Sequence, residues 1–584
     1  MRLGVDISKY CKWLAVLVLA IMAGCADSGT MIPDAPEPDA PKGGATISLK
    51  FKISVDDGNG STTRAAGDDE ETTPGTDIEN AINMAYLIVE ERDGGTLKRT
   101  PIELENLRVG EDITVELSGM TFGEKTFYVA ANLSEEQLEA FCNDNAAYTI
   151  PNANGFDMVE AFAPDYATAG RQEIAMFCTE GKTLTLSSGT TDYVISESFS
   201  MKRLVAKVLV TCKTKTDAST GEVYCKLGGD LVDARGNDRG WIRLSEVFFI
   251  LNGLNTKSYI MQRDDLSDPN YSISGNFAVQ NGEVVPVNIG DFMFKRTLYH
   301  YDYTSNYMPA LAFSEAKIPT TAKGGKGVYT EGLYCPENTF TLSDISSERQ
   351  EQLASYGGGL PMLTHVTVTT LFTPKYIYAE SGLNESIQMQ ADDKIDSRTK
   401  ARIRTAFSNP ISRETVTTGD GSKHEILQLE LGSEVDAWTV LDYSMRLAGF
   451  YIGGKVPPTE KGLPDFTFYT KQKADGGYDY YTYGAAKMKS GLSSQTNKVD
   501  LDGFNAFVGG RGYFNVYVDN RKDSDPDKTS YQGYRYGSVE RNVYYIITVD
   551  SFSSPGPIGN PPLIDVHTKT INWILAGEGR ITLQ

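Results

Sequence analysis

Two residues in this chain have the type and surroundings for chemistry, and in both cases the chain is substrate rather than catalyst. Arg64, in Thr62-Thr63-Arg64-Ala65, is the one basic residue between Asp56 and Asp77, a stretch dominated by Asp, Gly, Asn, Ser, Thr and Glu. A segment of that composition cannot bury enough apolar surface to hold one conformation. A trypsin-like protease is therefore expected to reach the bond between Arg64 and Ala65. Cys25 closes Met22-Ala23-Gly24-Cys25, after a basic start (Arg2, Lys9, Lys12) and a short apolar run from Trp13 to Ile21. The run is shorter than the roughly 20 residues a spanning helix needs. Ended by small residues and a cysteine, it resembles a bacterial lipobox, with Met22 where Leu is usual. Cys25 is then the first mature residue and carries lipid such as palmitate; a plain signal peptide with a chance cysteine is the alternative.

The element that must position the scissile bond is the strand before it. From Ile47 to Val55, large apolar residues (Ile47, Leu49, Phe51, Ile53, Val55) alternate with Ser48, Lys50, Lys52 and Ser54. Successive side chains on a strand point to opposite faces, so this spacing predicts a half-buried β-strand. Burying five such side chains at about 1.5–3 kcal/mol each contributes roughly 7–15 kcal/mol as an upper figure. That is comparable to the whole stability of a domain, about 5–15 kcal/mol. If the strand leaves after cleavage, another strand of the same pattern has to refill its groove, and the chain is a polymerisation precursor. An ordinary first strand followed by an ordinary linker is the plainer reading of the same residues.

The other reactive side chains do not assemble into a catalyst. His300, His365, His424 and His567 are scattered, and neither a Gly-Xaa-Ser-Xaa-Gly nucleophile elbow nor a phosphate loop occurs. The paired acids Asp264-Asp265 and Asp392-Asp393, and the stretch Asp519 to Asp527, lack EF-hand spacing, and no cysteine pair has zinc-ligand spacing. No enzymatic activity, cofactor or metal is expected. Cys142, Cys178, Cys212, Cys225 and Cys335 form no disulfide framework; Cys212 and Cys225 can bridge a hairpin in an oxidising compartment, which spacing alone does not establish. A formal net charge of −22 makes nucleic acid an unexpected partner.

At 584 residues the chain exceeds one ordinary core, and two domains are the natural prior. Ala26 to Gly44, with Pro33, Pro36, Pro38 and Pro41, reads as an extended tether. Strand patterns recur at Ala85–Val89, Asp112–Leu117, Thr126–Ala130, Thr183–Leu186 and Arg203–Val210. Ser134-Glu135-Glu136-Gln137 is a capping box opening a helix with Leu138 and Phe141 on one face. Lys213 to Arg239, rich in Gly, Asp, Thr and Lys, is the expected boundary region. Beyond it the pattern is again β, at Glu246–Leu251, Val366–Phe372, Tyr513–Val518 and Tyr544–Val549. A short helix is expected within Asp393–Phe407, its Arg398, Lys400, Arg402 and Arg404 reading as solvated surface. The rings of Phe466–Tyr483 can stack on sugars, but in β-domains such rings more often form cross-strand pairs. The chain closes with alternating Ile564, Val566, Thr568 and Thr570, then Trp573, Ile581 and Leu583. Such a strand can fill another subunit's groove or edge its own domain.

Several segments in order resemble the type V fimbrial subunits of Bacteroidales, the Mfa and FimA family, and within it the major stalk subunits of the Mfa fimbrium. They are the lipobox ending at Cys25, Thr62 to Ala65, Phe127 to Asn132, Met201 to Val208 and Phe248 to Tyr259. Tyr334-Cys335-Pro336-Glu337-Asn338-Thr339, Val539 to Tyr545 with Ser554-Pro555-Gly556, Asp565 to Trp573 and Arg580 to Leu583 complete the set. The insertions at 264–326 and 381–423 have no counterpart. The resemblance implies an all-β chain of two transthyretin-like β-sandwich domains in tandem, with minor helical insertions. It implies a signal peptide over 1–24, a lipidated propeptide with a removable first strand over 25–64, an N-terminal domain over 65–229 and a C-terminal domain over 230–584, ending in a donor strand, 564–584. It further implies an outer-membrane lipoprotein precursor, cleavage after Arg64 by an Arg-specific surface protease, and polymerisation with identical subunits by donor-strand exchange into an extracellular fimbrium serving adhesion and biofilm formation. Anchor and tip or accessory subunits are the other implied partners. The alternatives are a tip, accessory or anchor subunit, or a monomeric surface lipoprotein that binds glycan or protein.

Overall fold

The alternation that predicts the first strand holds in the structure, a computed structural model. It describes residues 45–55, 72–74, 79, 81–93, 95–105, 110–149, 174–252, 254–255, 257–263, 332–339, 364–448, 466–474, 477–492, 500–518, 539–556 and 566–574, with short pieces between 269 and 312. In β1 (Ala45–Val55), Ile47, Leu49, Phe51 and Ile53 are buried to 1 % or less, whereas Lys50 and Lys52 face solvent.

The chain is built from β-sheets with minor helical insertions, as its patterning predicts. A nine-stranded sheet surrounds β1. β3 (Ala85–Asp93), β4 (Thr96–Leu104) and β6 (Gly123–Ala131) pair antiparallel on its far side. The path returns to β1 through Met176–Cys178 and Phe199–Arg203. β5 (Asp112–Met120) lies along the other edge of β1. The helix after β6 runs Glu135–Cys142 and carries the expected capping box: Gln137 N donates to Ser134 Oγ (3.3 Å) and Ser134 N to Gln137 Oε1 (2.9 Å).

A second, six-stranded sheet gathers segments from both ends of the chain. Its centre is Val205–Cys212, the seam strand, buried at every residue. The seam strand runs parallel to Val543–Val549 and antiparallel to Leu333–Pro336. Val543–Val549 in turn holds the C-terminal strand Val566–Ile574, whose far edge takes β2 (Thr72–Pro74).

The segment 381–423 belongs to a further unit. Tyr376–Glu380 and Lys423–Glu430 pair in a six-stranded sheet that carries the helices Leu383–Gln388, Ser397–Ser408, Glu434–Leu447 and Tyr483–Lys489. The basic face of the second helix is partly used internally: Lys400 pairs with Asp392 (2.6 Å) and Arg402 with Asp436 (2.7 Å). The ring-rich stretch forms cross-strand pairs. Tyr469 stands opposite Tyr481, Phe468 and Tyr480 meet edge to face at 5.8 Å, and all four are buried.

The Ser554-Pro555-Gly556 segment sets a steric requirement on its neighbour. Ser554-Pro555-Gly556 crosses the strand Arg511–Tyr517 at Gly512, where a Cβ would collide with the Pro555 carbonyl oxygen. Gly512→Ala is expected to cost about 1–3 kcal/mol through displaced backbone, read as a lower denaturation midpoint. Gly382→Ala, where nothing lies within 4 Å of the added Cβ, should stay within about 0.5 kcal/mol of the parent. Equal effects at both sites would refute the crossing as the cause.

Candidate functional site: the groove of the first strand

β1 is held along both edges. On one side it pairs antiparallel with β5 from Ala45 to Lys52. On the other, Ser48–Lys50 run parallel to Asp192–Val194, and Ile53–Val55 parallel to Phe199–Met201. Ser48 N donates to Thr191 O (2.7 Å), Ile195 N to Lys50 O (2.8 Å) and Gly110 N to Ile53 O (3.0 Å). The buried face adds an edge-to-face contact of Phe51 with Phe199, centroids 5.6 Å apart. Removal of β1 therefore leaves a groove with hydrogen-bonding groups on both walls and an apolar floor.

Magnitudes identify what retains the strand. The four described apolar side chains contribute roughly 6–12 kcal/mol as an upper figure. On the solvent face, Lys50 and Lys52 reach Asp112 of β5 at 2.6 and 3.4 Å. The hydrogen bond from Lys50 holds the Asp112 carboxyl below its usual range. Its contribution is accordingly present above the unfolded pKa and lost as pH falls through the lower folded one. These groups are exposed and screened by water and salt, so the apolar face decides retention.

The other segments singled out in the sequence fall as follows. β1 ends at Val55 and β2 begins at Thr72; Arg64 and Ala65 between them lie outside the described residues, as does Cys25. Val566, Thr568, Thr570 and Trp573 lie in the C-terminal strand, which is hydrogen-bonded within its own chain on both sides. Ile564, Ile581 and Leu583 lie outside the described residues.

Sequence reasoning missed a buried polar cluster beside the seam strand. Glu79 accepts from Lys207 Nζ and Tyr334 OH, both at 2.6 Å, through one carboxylate oxygen. Arg203 donates to the Glu79 carbonyl (3.2 Å) and to Asn542 Oδ1 (3.2 Å). Burial pulls the Arg203 guanidinium down to about 10, a measure of how dry the site is. Next to it, Arg541 pairs with Glu337 (2.7 Å) and donates to the carbonyls of Tyr259 and Ile260, while Asn255 donates to Glu337 O (2.8 Å). Four of the sequence segments singled out, 201–208, 248–259, 334–339 and 539–545, thus converge on one place. The available signal was Arg203 and Lys207 spaced along the otherwise apolar stretch Arg203–Val210.

In the 376–507 unit a cavity of about 540 Å³ is lined by Glu380, Thr418, His424, Ser444 and Lys487, among others. Of its two carboxylates, Glu380 and Glu425, Glu380 already accepts from Ser444 Oγ (2.7 Å) and Thr482 Oγ1 (2.5 Å).

The sequence matches no protein-family model and no curated protein. Among solved structures the chain is similar to a putative cell adhesion protein from Bacteroides eggerthii, at 11% identity and TM-score 0.33, over 91% of this chain and 98% of that one. It is similar also to a fimbrilin from Porphyromonas gingivalis, at 10% identity and TM-score 0.34, over 91% and 98%. A tip fimbrial protein from Porphyromonas gingivalis, with C-terminal truncation, matches at 9% identity and TM-score 0.29, over 91% and 100%. With scores below 0.5 the backbones do not superpose closely, and function has to be read from this chain's own geometry.

Two outcomes follow from that geometry. After limited trypsin cleavage, the fragment carrying β1 should co-elute with the body of the protein on size exclusion. Phe51→Ala, at about 3–5 kcal/mol for a buried Phe, should speed its loss by roughly a hundredfold or more, whereas Asp112→Asn should leave it nearly unchanged. Release at the same rate from parent and Phe51→Ala chains would exclude the apolar face as the retaining element. Separately, Glu79→Ala removes the carboxylate that neutralises the buried Lys207 and should cost about 3–5 kcal/mol. Adding Lys207→Met should recover much of that in denaturant unfolding; a strictly additive pair would mean the two do not interact.

Proposed function

We propose that this chain is a structural stalk subunit of a surface fimbria, exported as a lipoprotein with lipid on Cys25, cut after Arg64 and polymerised by donor-strand exchange. The observation that carries this reading is the seat of β1. The strand fills a groove open to hydrogen bonding on both walls and ends at Val55, nine residues before the one basic residue of a strongly polar stretch. While the chain is intact, the tether gives β1 a high effective concentration in its own groove, so the precursor stays monomeric during export. Cleavage makes the contact intermolecular without breaking it, and loss of the fragment remains slow until a competing strand takes over.

The C-terminal strand over 564–584 is the proposed donor to the next subunit. It starts docked in its own chain, so exchange requires it to leave Val543–Val549 and β2. Possession of both a cut site and a terminal strand favours a stalk role, since an anchor needs no cut and a tip need not donate. The partition into 65–229 and 230–584 belongs to the same reading, with the seam strand of the first part taking its partners from the second. Identical subunits, a tip and an anchor subunit, and an Arg-specific surface protease are the partners this assembly needs.

Protein sheared from cells should begin at Ala65 and run as a ladder of high-mass species on an unheated denaturing gel. Arg64→Ala should abolish the ladder and leave monomer. Arg64→Ala chains that still polymerise would sink the reading, and indifference of a purely monomeric protein to the substitution would favour a surface binder.

A further inference from the structure

Cys212 and Cys225 have no part in strand exchange, yet the fold brings them together. Cys212 ends the seam strand, and Cys225 ends Val223–Cys225, which pairs antiparallel with Thr214–Thr216 in the register of Thr214 with Cys225. Lys226 N donates to Lys213 O (2.9 Å), carrying the ladder one step towards Cys212. Alternate residues share a face, so Cys212, Thr214 and Cys225 lie on one side of this hairpin, with the two cysteines as diagonal neighbours. Their exposures are 0 and 1 %.

The other thiols differ in setting. Burial alone pushes the Cys335 thiol up, and it is the first cause of the rise of Cys178 to about 12. For Cys225 the first cause is the neighbouring Cys212 thiol, ahead of burial. Both sulfurs are unbridged in this structure.

We propose that Cys212 and Cys225 are a disulfide-forming pair that cross-links the hairpin to the seam strand in the exported protein. The co-reactant is a disulfide oxidant, either a protein disulfide or glutathione disulfide. The two thiols lose two protons and two electrons, one S–S bond forms between them, and the oxidant's S–S bond is reduced to two thiols. The exchange takes place before the hairpin closes, because the folded site excludes an attacking thiol or oxidant. Once made, the bond fastens the segment from which Lys226 and Gly228 reach Phe552, at 3.1 and 2.9 Å. The need for an oxidising compartment rests on the export reading; the geometry of the pair does not.

The test has two arms. Protein taken from cells is denatured in the presence of an alkylating agent, then reduced and alkylated with a second, mass-distinct reagent. Cys142, Cys178 and Cys335 should carry the first label, Cys212 and Cys225 the second, and an unreduced digest should contain the linked peptide. In the other arm, the full chain is refolded with reduced and oxidised glutathione, which removes any dependence on export. The same linked peptide should form, and Cys225→Ser should abolish it. The thermal midpoint of Cys225→Ser should lie on the order of 5–10 °C below the oxidised parent and level with the reduced parent. Free thiols at both positions in both arms overturn the proposal and leave the export reading standing. A bridge on refolding, with reduced protein found inside the cell, upholds the pair and overturns export instead. A bridge on refolding with free thiols in surface protein overturns the proposal for the exported chain.

Discussion

Burial of one face of β1 is the interaction on which the first sheet depends. Ile47, Leu49, Phe51 and Ile53 supply its floor, and the strand itself supplies a shared neighbour for β5, Asp192–Val194 and Phe199–Arg203. Among the described residues, β5 and Asp192–Val194 pair with no other strand, and Phe199–Arg203 pairs otherwise only with Met176–Cys178. A site whose occupant contributes as much as a domain's net stability cannot stand empty in water for long. Retention of the native strand or replacement by a similar one are the two low-energy states, and in the proposed assembly a single peptide bond decides which is reachable.

The seam strand plays the matching part for the second sheet. It is buried along its length and carries Lys207 into that dry environment, with Arg203, two residues before the strand begins, buried beside it. Lys207 is neutralised by Glu79, while Arg203 is bound by a carbonyl and an amide oxygen. Glu79 follows the polar stretch in sequence, so the same contacts that satisfy these charges tie it to the body of the molecule. Under the proposed cleavage after Arg64, the first strand would therefore depart without drawing the following segment after it.

Legibility in the sequence followed local patterning closely. β1 was readable because one face is buried and the other wet, which writes a period of two directly into residue types. The capping box at Ser134 was readable because both of its hydrogen bonds join residues three apart. The seam strand was recognisable as a strand, but its partners, Leu333–Pro336 and Val543–Val549, lie far along the chain, and no local signal specifies which distant segments pair. The cluster at Glu79 was invisible for the same reason. In the 376–507 unit, only one helix was anticipated; Glu434–Leu447 carries the serine cap Ser433 and acids in its first turn, but its apolar face is interrupted by Asp436 and Ser444, which are buried through partners in other elements. The rings of Phe466–Tyr483 were placed correctly as cross-strand pairs because adjacency on a hairpin is a local property.

The two-walled seat of β1 also has a mechanical consequence. A strand peeled from one end surrenders its hydrogen bonds one after another, each at small force. A strand bonded on both edges and pulled along its own axis is loaded in shear, so that many bonds must yield together. Any strand occupying this groove, native or incoming, would meet tension in the second way, and its lifetime under load would be set by an unfolding rate rather than by an equilibrium constant. In the proposed assembly, the geometry that slows the strand's departure after cleavage is also the geometry that would let a chain of such subunits carry a pull.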